Sequence, residues 1–170
     1  MVSSGKTIVL MRHAKSSWGN RELTDFERPL NARGKKAAPF MGRKLSGHDL
    51  NISQFISSPS NRTMQTAKRI CKEIAYDFSK VLFKDSIYQA STKNLLNVIN
   101  AVDNEHDTII LLGHNPAITY LVNALQDESY ITNVPTCGMV SITFPLDVWR
   151  DIGHGKGILG FYEYPKKYSF

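Results

Sequence analysis

The chain has 170 residues, 42% of them hydrophobic and 21% charged, a balance that excludes wholesale disorder and fits one domain over residues 1–170. Its two cysteines are too few for a disulfide framework, and no apolar run reaches the ~18 residues of a membrane-spanning helix, so a cytoplasmic setting with no membrane partner is expected. The net charge of +6 favours anionic partners, whether phosphorylated substrates, nucleic acid or an acidic protein.

The first residues, Met1 to Lys6, lead into an apolar stretch too short for a secretory leader. Residues 7–11 (Thr-Ile-Val-Leu-Met) read as a buried strand. Residues 21–30 are a polar loop. Residues 31–47 have helical spacing on Ala37, Ala38, Met41 and Leu45, with Pro39 inside the pattern, where it removes a helix hydrogen bond. Residues 52–57 are a second strand. Residues 60–76 are the clearest helix, capped by Ser60 or Asn61 and striped by Met64, Ala67, Ile70, Cys71 and Ile74. A short strand at 81–83 precedes a helix over 91–103 with Ser91 as its cap. Residues 108–112 are apolar throughout, the mark of a strand covered on both faces. Pro116 is expected at the first position of the next helix, whose inward side is Ile118, Leu121, Val122 and Leu125. Residues 139–144 form a further strand, and 158–164 an edge strand. This alternation predicts an α/β fold with a mostly parallel central sheet and helices on both faces.

Such sheets bind ligands at the carboxyl ends of their strands. Three strand ends here carry chemistry: Arg12-His13-Ala14-Lys15-Ser16 after the first, Ser58-Pro59-Ser60-Asn61-Arg62 after the second, and Gly113-His114-Asn115-Pro116 after the run at 108–112. Two arginines offer planar forks that match phosphate oxygens. Helix amino termini add free N–H groups, and Lys15 and Ser16 add donors. A neutral imidazole beside them can attack phosphorus, and cationic neighbours keep it neutral.

These segments resemble the histidine phosphatase superfamily, with its phosphoglycerate mutase-like three-layer sandwich. The Arg-His-Ala-Lys-Ser form looks most like the SixA-type phosphohistidine phosphatases. The resemblance continues, in family order, through Arg28-Pro29-Leu30 with Arg33-Gly34, Ser57-Ser58-Pro59 with Arg62-Thr63, Gly113-His114-Asn115-Pro116, and Pro135-Thr136-Cys137-Gly138. It implies that His13 is the phosphorylated nucleophile and that Arg12 and Arg62 clamp the phosphoryl oxygens. It further implies that His114 donates to the phosphoryl group, with Ser16 and Asn115 as secondary contacts. No metal or other cofactor is implied, because the arginines supply the positive charge.

Two departures from larger relatives shape the expectation. No lid insertion follows the strand at 81–83, so the crevice should be open. With that insertion goes its acidic proton donor, leaving Asp25 and Glu27 as the nearby alternatives. A phosphohistidine nitrogen leaves readily and needs little acid help, which favours a phosphorylated protein as substrate. A small-molecule phosphomonoesterase or mutase-like enzyme, and a phosphate-binding module without turnover, are the alternatives. Nucleic acid is disfavoured, because the basic residues are scattered with no aromatic-basic stripe.

Overall fold

The computed structural model describes residues 5–170; Met1 to Ser4, where the leader was sought, lie outside the described residues. Six strands form one sheet in the order β3-β2-β4-β1-β5-β6. β1 (Lys6–Arg12) is central, parallel to β4 (Thr108–Gly113) and antiparallel to β5 (Met139–Phe144). β2 (Gln54–Ser57) runs parallel to β4 and to the short β3 (Leu82–Phe83), while β6 (Ile158–Glu163) closes the other edge antiparallel to β5. The antiparallel pair at one edge makes the sheet mixed, with its four parallel strands contiguous.

Alternation along the strands divides the core in two. Val9, Met11, Phe55, Ile110 and Leu112 face α1 (Ala32–Ser46) and α2 (Asn61–Glu73), where they meet Ala38, Met41, Ala67, Ile70 and Cys71. Ile8, Leu10, Ile56, Ile109 and Leu111 face the other way, onto Leu95 and Ile99 of α3 (Thr92–Asn100) and Ile118, Leu121 and Val122 of α4 (Ala117–Leu125). The central strands read as continuous apolar runs for this reason: both faces are covered.

Local chemistry sets the helix ends. Asn31, Ser60 and Ser91 cap α1, α2 and α3, each side chain accepting a backbone N–H from three residues on. The α2 helix stops short of residue 76 because Ala75 turns into the left-handed region at φ 55°. Pro39 is accommodated without ending α1, which continues to Ser46. Pro116 differs from expectation. It caps α4 rather than occupying its first turn, following a cis Asn115–Pro116 peptide. The Asn115 side chain takes over the capping, its Oδ1 accepting from the Thr119 N–H at 3.2 Å and the Thr119 hydroxyl at 2.9 Å. Among the described residues no helix is long and apolar enough to cross a membrane.

Candidate active site

The parallel strands β1, β2 and β4 end together, and their ends bring four of the expected residues into one crevice. Arg12 closes β1 and His13 follows it, with the His13 N–H donating to Gly113 O at 3.2 Å. His114 follows β4, and the Ser58 N–H donates to Leu112 O at the end of β2. Arg62 lies in the first turn of α2, which Ser60 caps directly after that strand. Thr66, one turn further on, accepts the Ala14 N–H at 3.0 Å and donates to Arg62 O at 2.8 Å, locking the His13 loop to the helix. The crevice is about 240 Å³ and is lined by Arg12, His13, Lys15, Ser16, Arg62 and His114, together with Trp18, Arg28, Asn115 and Thr136.

The two imidazoles stand with ring centroids 5.3 Å apart. Nδ1 of His13 lies 2.7 Å from the carbonyl of Ala14. A carbonyl only accepts, so Nδ1 carries the proton and the lone pair is left on Nε2. Burial is the main influence lowering the His13 pKa, to about 3. The Ala14 hydrogen bond works against this, and His114, Arg62 and Arg12 add to it through their charge. Charge alone was expected from the sequence, and dehydration turns out to be the larger cause. His114 is likewise held at about 4, by burial first and then by Arg62. Its Nε2 pairs with Ser58 Oγ at 2.7 Å, and Arg62 Nη2 approaches its Nδ1 at 3.4 Å.

Arg62 is 6% exposed. It donates through Nη1 to Asp25 O at 2.7 Å and through Nη2 to Asp25 Oδ2 at 3.1 Å. Arg12 donates through Nη1 to Val134 O at 3.1 Å. The Nε of each arginine is buried without a hydrogen-bond acceptor among the described residues. A buried unpaired N–H costs ~1–3 kcal/mol, more when charged.

The remaining expected residues divide. Lys15 is exposed at the rim. Ser16 is buried, its hydroxyl accepting from Arg28 Nη1 at 2.9 Å. Asn115 borders the crevice, but its amide is spent on structure: Nδ2 donates to Asn133 Oδ1 and Val134 O, both at 2.9 Å, and Oδ1 caps α4. Glu27 does not line the crevice. It accepts from the Thr24 N–H and hydroxyl in its own loop. Asp25 does not line the crevice either; it touches the lining residues Arg62 and Arg28 and is poorly suited to give a proton. Burial raises its pKa, yet the hydrogen bond from Tyr88 and the Arg62 guanidinium outweigh this and hold it at about 2. It accepts from Tyr88 Oη at 2.6 Å and Arg28 Nε at 3.2 Å.

Two residues were given no role by the sequence reading. Arg28 is buried, ties Asp25 to Ser16, and lies 3.4 Å from the centroid of the Trp18 ring. Tyr88 anchors Asp25 and packs edge-on against His114 at 5.6 Å. The Arg28-Pro29-Leu30 motif was the available signal for the first; Tyr88 had none, because its neighbours in the site are distant in sequence. Among the described residues, no group of three or more histidine, cysteine, aspartate or glutamate side chains could hold a metal.

Residues 8–82 match the family model of the histidine phosphatase superfamily (branch 1). An uncharacterized chloroplastic protein of Arabidopsis thaliana is 29% identical over 157 residues, covering 88% of this chain and 71% of its own length. The protein histidine phosphatase SixA complexed with tungstate has the same fold at a TM-score of 0.80 and 20% identity, over 95% of this chain and 98% of that one. A mycobacterial glucosyl-3-phosphoglycerate phosphatase shares it more distantly, at a TM-score of 0.65 and 11% identity over 91% and 97% of the two chains. Over residues 8–82 the chain is similar to the histidine phosphatase superfamily, and that match supports phosphatase activity. In fold the chain is SixA-like, a three-layer sandwich with no lid inserted between β3 and α3.

Proposed function

We propose that this chain hydrolyses a phosphoryl group from phosphohistidine on a protein, through a phosphohistidine intermediate on His13. Nε2 of His13 attacks phosphorus in line, the bond from phosphorus to the leaving nitrogen breaks, and the phosphoryl group passes to His13. Water then attacks phosphorus, the bond to Nε2 breaks, and inorganic phosphate leaves. Arg12 and Arg62 offset charge on the equatorial oxygens, the dominant contribution expected for such a transfer. His114 faces the same space and donates to a phosphoryl oxygen when Nδ1 carries its proton, Arg62 Nη2 then turning from Nδ1 to the phosphoryl group. Ser58 permits this, because a hydroxyl can either accept from Nε2 or donate to it.

The observation that carries this reading is the pairing of a buried imidazole, its lone pair on Nε2, with two guanidinium groups around one small crevice. The choice of a nitrogen leaving group rests on Asp25, which is held ionised and engaged by Arg62, Arg28 and Tyr88. With no acid poised among the described residues to protonate an alkoxide, a leaving group that departs readily is favoured. The test is turnover of a histidine-phosphorylated protein against sugar and glycerate phosphates. Faster turnover of the small esters would reject the protein substrate, and phosphate binding without any turnover would make the chain a recognition module.

A further inference from the structure

Beside the crevice, and sharing Arg12, Lys15 and Thr136 with it, runs a groove of about 440 Å³. Lys15 from the loop after β1, Arg33 from the first turn of α1 and Lys166 from the turn at Pro165–Tyr168 rim it, and Tyr162 and Tyr164 form part of its wall. Among the described residues, no aspartate or glutamate lines it. Among the described residues, none of the three cations is ion-paired, whereas Lys167, the next residue in the chain, is bound to Glu163 at 3.0 Å. The Tyr162 hydroxyl donates to Asn133 O at 3.2 Å, and Asn115 holds the 133–134 backbone, so the groove is built on fixed elements.

We infer that this groove is a second recognition site, taking the acidic segment that flanks the phosphorylated residue of a protein substrate. The inference rests on the phosphoprotein reading above. The groove meets the crevice at Arg12, so the chain flanking a phosphorylated side chain held there has room to extend into it, and its volume far exceeds that of one imidazole. Small-molecule sites converge buried polar groups on one point. Here the cations are exposed and spread over three separate elements, the arrangement by which a protein surface selects a partner of opposite charge.

Two histidine-phosphorylated peptides of equal length test this, one flanked by glutamates and the other by glutamines at the same positions. The chain should prefer the glutamate peptide by a factor on the order of five at low salt, through KM, and the preference should shrink as salt screens the rim. The Arg33→Gln/Lys166→Gln variant should lose that preference while hydrolysing phosphoramidate at an unchanged rate, since its ammonia leaving group does not reach the groove. Equal turnover of the two peptides, or a preference undiminished in the variant, would overturn the inference. So would a preference for a small diphosphorylated ester that the variant abolishes. Failure of the underlying reading would look different: neither peptide is cleaved while simple phosphoesters are. In that event, inhibition of ester hydrolysis by an unphosphorylated glutamate-rich peptide decides: the groove stands if the variant is inhibited less than the wild type, and falls if both are inhibited alike.

Discussion

The ring of His13 donates its Nδ1–H to the carbonyl of the next residue, Ala14, across 2.7 Å. This fixes one tautomer, and burial keeps the ring uncharged, with a pKa of about 3. The imidazole nitrogen resonances of His13 should therefore report a neutral Nδ1–H ring across roughly pH 5 to 8, where an ordinary histidine titrates. A titration midpoint near the usual value would refute the effect of burial, and a neutral ring protonated on Nε2 would refute the tautomer assignment. Stability should follow the same chemistry. His13 and His114 titrate below the ordinary 6.5 in the folded chain, so between about pH 4 and 6.5 the unfolded chain binds more protons. Their contribution is thus complete above about pH 6.5 and is lost as pH falls toward the folded values, a trend that denaturant titrations at successive pH values would register.

Arg62 is expected to act chiefly in the transition state. Its replacement by alanine should cost about 3 kcal/mol, or roughly a hundred-fold in kcat, the scale of a lost electrostatic donor. Steady-state kinetics would check this, and a normal kcat in the variant would contradict the clamp.

Asp25 offers a sharper distinction. If it positions Arg62 and Arg28 rather than giving a proton, Asp25→Asn should slow phosphoramidate and phosphoester hydrolysis by a similar factor, on the order of ten-fold or less. A general acid would show itself otherwise, with esters losing far more than phosphoramidate because alkoxides need the proton.

Gly34 links the first helix to the site. A Cβ placed there would lie 2.2 Å from Lys15 O, so the backbone beside the crevice must move to admit it. Gly34→Ala should destabilise the chain by about 1–3 kcal/mol through overpacking and lower activity as the Lys15-Ser16 loop shifts. Equilibrium unfolding would measure the first effect; a variant as stable as the wild type would mean that the loop yields without cost.

Much of this was legible in the chain because the relevant signals are local. The runs at 8–11 and 109–112 are apolar on every residue, as a strand covered on both faces requires. His13, Arg62 and His114 were exposed to view by their place just past strands. What stayed hidden depends on pairs distant in sequence. Tyr88 matters because the fold sets its hydroxyl against Asp25, 63 residues away. Glu27 and Asp25 were indistinguishable as loop carboxylates, and the turn decides between them by folding Glu27 back onto Thr24. Asn115 looked like a ligand from its position after His114, but its Oδ1 accepts from the Thr119 N–H and hydroxyl and its Nδ2 donates to Asn133 and Val134.

The account turns on a covalent bond between phosphorus and His13. Rapid acid-free quenching during turnover of a labelled phosphohistidine protein, followed by peptide mapping, should find an acid-labile, alkali-stable phosphate on the peptide containing His13. The label should vanish in His13→Ala together with hydrolysis. Full turnover in that variant, or a label on any other residue, would contradict the assignment.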